Sequence, residues 1–272
     1  MKILVFGGSG MLGHMVKTVF EEAGHEVFAP SRNCYDITMG KDALCELIYS
    51  YNPDYVVNCI GMLVKESEEN PEAAKLINSS FPHWLEEIMG SFKVIHASTD
   101  CVFSGDLLYP LQYMETYDKD AQSIYGQTKA KGEISGTIRT SIIGPELKNG
   151  SGLFHWFMTS KGEVKGYTDH WWNGITTLEW AKQALRVMER QERFGLLQMG
   201  LNKPLNKETL LFHIKCIFGI QTEIVPTAIS FCNKVLRSSI EVPTIVQQLD
   251  ELRKFMIQHE YMYEQYKEVL FV

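Results

Sequence analysis

The chain has 272 residues, 45% hydrophobic and 22% charged, with a formal net charge of -7. That length holds one large domain or two modest ones, and the composition is that of an ordinary globular protein. The acidic balance, with no basic stripe, argues against a nucleic-acid-binding surface. Cys34, Cys45, Cys59, Cys101, Cys216 and Cys232 form no CxxC pair and no zinc spacing. They read as free thiols of a reducing compartment, so the expected location is cytoplasmic. No apolar run reaches the ~20 residues of a membrane span. The apolar run after Lys2 is too short for a signal peptide. No metal site is expected, and no linker divides the chain, so any second domain is woven into the first.

In chain order, residues 2–6 read as a strand buried on both faces, as a parallel sheet requires. The turn Gly7-Gly8-Ser9-Gly10-Met11-Leu12-Gly13 follows, and then an amphipathic segment from His14 to Ala23. Strand, glycine turn and helix are the context of a dinucleotide-binding loop: the glycines allow a tight turn and let backbone approach a pyrophosphate at the helix start. A second strand, residues 26–30, ends at Ser31-Arg32 without the acid that holds an NAD ribose. Those two side chains suit a 2′-phosphate, so the expected cofactor is NADP(H), with NAD(H) as the alternative. A solvent-exposed arginine is the plainer reading of Arg32.

Further strands are expected at residues 55–61, 93–99, 137–144 and 195–199. Helices are expected near 40–51, from Asn70 through Trp84, and over 179–190, 206–218 and 243–256. His96 reads as a satisfied core histidine. Residues 146–174 show no clear period and hold Trp156, Trp171 and Trp172. They read as a loop-rich substrate lid or, alternatively, as packed loops. The fold class expected is α/β, a Rossmann-type doubly wound parallel sheet with a smaller, interleaved C-terminal lobe. Residues 1–145 would form the dinucleotide-binding core and 146–272 mainly the substrate lobe, with about 175–200 returning to the core.

Tyr125 and Lys129 stand at i and i+4 and so share one helix face. An ammonium beside a phenol favours the phenolate and would bring the tyrosine toward the working pH as a proton donor. Such pairs also occur on solvated helix faces. This one follows a strand that delivers Thr99 to the carboxyl edge of the sheet, where ligands bind in open α/β folds.

The glycine loop, Val57-Asn58-Cys59, Ser98-Thr99-Asp100-Cys101-Val102-Phe103, Tyr125-Gly126-Gln127-Thr128-Lys129 and Arg139-Thr140-Ser141 come in the order and spacing of the extended short-chain dehydrogenase/reductases. The chain resembles the dTDP-4-dehydrorhamnose reductase group of that superfamily, over about residues 1–200. The resemblance implies catalytic roles for Thr99, Tyr125 and Lys129. It implies cofactor contacts at Gly7, Gly10, Met11, Leu12 and Gly13. Asp36 and Ile37 would flank the adenine, and Cys59, Ile60, Gly61 and Lys129 the nicotinamide ribose. Asp100, Phe103 and Trp156 are the expected substrate contacts. It also implies NADPH-dependent reduction of a nucleotide-linked 4-keto-6-deoxy sugar for polysaccharide synthesis, with a homodimer as the candidate assembly. Two positions depart from the group: Cys101 stands where tyrosine is usual, and Met15 where some members place a metal-binding glutamate. A sugar-nucleotide epimerase on the same scaffold is the first alternative. A non-catalytic NADP-binding regulatory subunit, like that of methionine adenosyltransferase, is the second. Dehydration is disfavoured, because Asp100 is followed by Cys101 and not by glutamate.

Overall fold

The computed structural model describes residues 1–148 and 150–270. The elements of the first half are β1 (Lys2–Phe6), α1 (Gly13–Glu22), β2 (Glu26–Phe28), α2 (Gly40–Tyr51), β3 (Tyr55–Asn58), α3 (Val64–Glu69), α4 (Pro71–Lys75), α5 (Phe81–Met89), β4 (Val94–Ser98), α6 (Ile124–Lys131), β5 (Thr137–Arg139) and β6 (Ile142–Ile143). The second half adds α7 (Leu153–Thr159), β7 (Glu163–Tyr167), β8 (His170–Trp172), β9 (Ile175–Thr176), α8 (Thr177–Glu189), β10 (Leu196–Gln198), β11 (Leu205–Asn206), α9 (Lys207–Phe218), β12 (Glu223–Thr227), β13 (Cys232–Asn233), α10 (Ile245–Gln258) and the short α11 (Lys267–Leu270).

Six strands form one sheet in the order β10-β5-β4-β3-β1-β2, and every pairing in it is parallel. Side chains alternate across a strand, and β1 shows the consequence. Ile3 and Val5 join the core under α1 and α8, whereas Leu4 and Phe6 join a second core with Leu44, Ile48, Phe81 and Leu85. A sheet buried on both faces needs helices on both, which is the Rossmann-type layering expected. The chain leaves β1 for β2 on one side and returns to β3 on the other. This reversal makes a crevice at the carboxyl ends of β1 and β3.

The expected helix from Asn70 forms, but its middle is a π-turn at Leu76–Ser80 between α4 and α5. Asn70 caps it by accepting from the Ala73 N–H, and Pro71 fits the first turn, where its missing N–H costs nothing. Thr176 and Asn206 cap α8 and α9 in the same way.

The stretch 146–174 is more ordered than a loop-rich lid. It holds α7, β7 and β8, and β7 pairs with β12. The sequence hides this because α7 has seven residues and the β8 run has three, too short for a period to register. Trp172 is 2% exposed and belongs to the main core, and Trp171 stacks on Tyr109 with ring centres 3.7 Å apart. Strand β10 joins the six-stranded sheet, and the C-terminal Tyr263 and Tyr266 are fully buried in the same core as α1. No helix among the described residues is long and apolar enough to cross a membrane.

Candidate active site

Leaving β1, the chain turns at Gly7 with φ +82°, a backbone conformation that side chains with a Cβ resist. The Gly10 N–H then donates to the Gly7 carbonyl at 2.8 Å. A Cβ on Gly13 would lie 2.0 Å from that same carbonyl oxygen, and one on Gly8 2.5 Å from the Ala29 Cβ. Only glycine lets α1 start this close to β1 and β2. The first turn of α1 has no side-chain cap, which leaves backbone N–H groups for an anion at the helix start. The cradle fits a dinucleotide pyrophosphate. Met11 is partly exposed there, while the Leu12 side chain is core, leaving only its backbone to the loop.

A Cβ on Gly7 would lie 3.1 Å from the Cys59 carbonyl carbon and from Ile60 Cγ1, so the structure brings the glycine loop and residues 59–61 together. Asn58, fully buried at the end of β3, accepts from the Ile60 N–H at 3.1 Å. Ser31 and Arg32 are exposed in the turn beyond β2. Asp36 caps the turn that follows, accepting from the Thr38 N–H at 2.9 Å. Hydrogen bonds from Thr38, helped by the charge of Arg32, hold its carboxyl below the usual range. Ile37 points into the second core, so only its rim and backbone face outward.

Thr99 follows β4 and is 8% exposed. Its hydroxyl accepts from the Cys101 N–H at 3.1 Å and donates to Asp100 Oδ1 at 3.1 Å. Ser123 caps α6 by accepting from the Gly126 N–H. A Cβ on Gly126 would sit 2.2 Å from the Cys101 carbonyl oxygen. The glycine therefore lets α6 lie directly on the Thr99 turn and sets Tyr125 beside Thr99. Lys129, one turn on, is 4% exposed and donates to the Ala97 carbonyl at 2.6 Å, with His96 Nε2 3.5 Å away. Its ammonium is also 4.0 Å from where a Cβ of Gly61 would be. The trio and the residues predicted to hold the cofactor thus meet at one edge of the sheet.

Burial lowers Lys129 to about 8, against an opposing pull from Glu133. Burial raises the Tyr125 phenol above its ordinary value; the neighbouring Cys101 and Asp100 push the same way and a hydrogen bond with Thr99 pulls back. The expected acidification of Tyr125 by Lys129 is therefore corrected: desolvation of the phenol outweighs it, and the ammonium is committed to Ala97. His96 is the satisfied core residue expected. Asn58 Nδ2 donates to its Nδ1 at 3.1 Å, and burial holds it neutral, well below the usual histidine value.

Asp100 is 5% exposed and faces the trio. Phe103 is a correction: it is fully buried, stacked on Tyr113 at 4.2 Å and beneath the Arg139 guanidinium, so it supports the wall and does not touch the crevice. Trp156, 42% exposed, lines a cleft of about 680 Å³ with Tyr167, His170 and Lys207.

Two residues escaped the sequence reading. Asn78, fully buried on the π-turn, accepts from the Met62 N–H at 2.9 Å and donates to the Met62 carbonyl and to Thr128 Oγ1. It pins the loop after Gly61 to α6, and π-turns concentrate at functional sites. A polar residue on the apolar face of a predicted helix was the available signal. Lys207 opens α9, where the helix dipole disfavours a cation; that mismatch was its signal.

Fold and site together define a Rossmann-type protein of the extended short-chain dehydrogenase/reductase class. More narrowly, the chain belongs to the family of the RmlD substrate binding domain, whose model matches residues 1–141. The spore coat polysaccharide biosynthesis protein SpsK of Bacillus subtilis is 33% identical over 147 residues, 52% of this chain and 51% of SpsK. A dTDP-4-dehydrorhamnose reductase of Mycobacterium tuberculosis (strain H37Rv) is 29% identical over 137 residues, 48% of this chain and 44% of the reductase. The matches span about half the length of these curated relatives. The solved dTDP-4-dehydrorhamnose reductase of Bacillus anthracis, in complex with NADP, superposes with a TM-score of 0.80 at 17% identity, covering 94% of this chain and 99% of that one. At that identity the likeness speaks for the fold.

Proposed function

We propose that this chain reduces the keto group of a nucleotide-linked 4-keto-6-deoxy sugar with NADPH, as a step in making a polysaccharide precursor. The observation that carries the reading is the gathering of Thr99, Tyr125 and Lys129 at the sheet edge where the glycine cradle and Gly61 also lie. The names of the relatives support the substrate class, and Ser31 with Arg32 supports NADPH.

The bound nicotinamide would supply the hydride. Thr99 and Tyr125 would both donate to the substrate carbonyl oxygen, polarising it as charge develops. Burial keeps Tyr125 protonated, and it would give its proton to the oxygen as the carbonyl carbon is reduced. Lys129 would hold the nicotinamide ribose from its anchor on Ala97, and its charge would stabilise the phenolate left on Tyr125. Thr99 has one proton to give, so its O–H would turn from Asp100 Oδ1 to the substrate oxygen when the carbonyl arrives.

A homodimer in the cytoplasm is the proposed setting, on the family resemblance. The test is NADPH oxidation against a panel of nucleotide-linked 4-keto sugars. Stoichiometric oxidation with an alcohol product supports the reading. Product change without net oxidation means an epimerase, and inertness toward the whole panel overturns catalysis in favour of a binding role.

A further inference from the structure

His14 and Tyr263 are buried titratable groups that the mechanism above does not use. His14 is the first residue past the glycine turn and Tyr263 belongs to the tyrosine-rich C-terminal tail; both are almost wholly shielded from water. His14 Nε2 and the Tyr263 hydroxyl lie 2.9 Å apart, across 249 residues of chain. On its other side the imidazole Nδ1 is 2.8 Å from the Gly10 carbonyl. A carbonyl only accepts, so Nδ1 carries the hydrogen and donates it. Burial holds the ring below the usual histidine value, against an opposing pull from the Gly10 bond, and so keeps it neutral. Nε2 is then an acceptor, and the Tyr263 hydroxyl donates to it. The tail is itself fixed: the Tyr266 hydroxyl accepts from the Glu146 N–H at 3.1 Å and lies 2.8 Å from His155 Nδ1.

The Gly10 carbonyl does not need the imidazole to be satisfied, because it already accepts the His14 backbone N–H at 3.1 Å. What the imidazole adds is direction. A trans peptide is planar, and its C=O and N–H point opposite ways. Holding the Gly10 carbonyl against His14 therefore turns the Met11 N–H away from His14. Among the described residues that N–H meets no acceptor, and Met11 is partly exposed at the cradle.

We propose that Tyr263, His14 and the Gly10 carbonyl form a relay that presents the Met11 N–H to the dinucleotide pyrophosphate, so that the C-terminal tail sets the affinity for the cofactor. The inference rests on the cofactor reading above. His14 and Tyr263 are positioning residues: they act through the backbone, and neither exchanges a proton in the reaction. Without the Tyr263 hydroxyl, Nε2 loses its partner, the imidazole is free to turn, and the peptide it holds is released with it.

The experiment measures NADPH binding to the full chain by fluorescence titration. Adenosine 2′-monophosphate, which carries the adenosine and the 2′-phosphate but no pyrophosphate, is measured as its competitor. Tyr263→Phe should weaken NADPH binding roughly 3- to 10-fold, the scale of one hydrogen bond. It should leave the affinity for adenosine 2′-monophosphate unchanged, which also certifies the fold. In His14→Asn the amide nitrogen takes the place of Nδ1 and still donates to Gly10, but the side chain no longer reaches Tyr263. With His14→Asn in place, adding Tyr263→Phe should therefore cost no further NADPH affinity. A smaller effect of Tyr263→Phe on NADPH than stated overturns the proposal. So does equal weakening of NADPH and adenosine 2′-monophosphate, the mark of general loosening, or an undiminished Tyr263→Phe effect on top of His14→Asn. If NADPH binding depends on Tyr263 in this way and no keto sugar is reduced, the relay stands and the reductase reading falls. If a keto sugar is reduced and Tyr263→Phe binds NADPH as the unaltered protein does, the reading stands and the relay falls.

Discussion

The ammonium of Lys129 donates to the carbonyl of Ala97 at 2.6 Å, tying α6 to β4 two residues before Thr99. The proton donor and the residue that would orient the substrate carbonyl are thus held by one short bond between their elements. Replacing Lys129 by methionine keeps much of the stem and removes that anchor. NADPH affinity and turnover should both fall, turnover by ~10²-fold or more. Steady-state kinetics combined with NADPH titration would show it; an intact NADPH affinity would sink the ribose-binding role.

Tyr125→Phe keeps the ring and deletes only the hydroxyl. NADPH should bind within a factor of a few, while turnover falls by ~10²–10⁴, the usual contribution of a positioned acid. Folding is checked by a thermal midpoint that still rises with NADPH. Near-normal turnover would reduce Tyr125 and Lys129 to an ordinary helix-face pair.

Cofactor choice depends on the turn after β2. The unaltered protein should prefer NADPH to NADH, and Arg32→Ala should narrow that preference by about 1–2 kcal/mol, because one charge-assisted contact is lost from an exposed position. Equal affinity of the unaltered protein for both cofactors contradicts the assignment of Ser31 and Arg32.

The tryptophans separate by position. Trp156→Ala should raise the substrate KM with little loss of stability, since Trp156 is exposed on the cleft wall. Trp172→Ala empties a core site and should lower stability by about 3–5 kcal/mol. Denaturant unfolding and KM measured on both variants distinguish the two; an unchanged KM in Trp156→Ala removes it from the substrate path.

Stability should respond to pH through the buried lysines. Lys129 is lowered to about 8 in the folded chain, against roughly 10.4 unfolded. Between those values the unfolded chain binds the Lys129 proton and the native chain does not, so the Lys129 contribution to stability rises with pH. The raised thiols of Cys59 and Cys101 oppose it from about pH 8.5, and the raised tyrosines Tyr125 and Tyr263 add to that opposition above about pH 10, since the native state then holds the extra protons. From pH 8 to 9.5 Lys129 should add about 1–2 kcal/mol. Urea unfolding should give a flatter pH slope for Lys129→Met; an identical slope means the lysine is not desolvated.

The sequence by itself determined the doubly wound core, the crevice and which residues of the glycine loop and of the Thr99, Tyr125 and Lys129 trio meet at it. The reason is that glycine geometry, burial on both sheet faces and helix-face spacing are local constraints. Gly7 is glycine for its own positive φ and Gly13 for its contact with the Gly7 carbonyl six residues back, and Tyr125 with Lys129 is a one-turn relation. The tertiary structure alone decided what depends on distant neighbours. It placed Phe103 behind the wall, sent Trp172 to the core while leaving Trp156 on the cleft, and bonded Asn78 to a loop sixteen residues away. It also raised Tyr125 where the adjacent lysine argued for lowering, because desolvation is set by everything packed around a group. Lys207 lies over a hundred residues from Asp100 along the chain, and only the tertiary fold lets its charge act on that carboxylate.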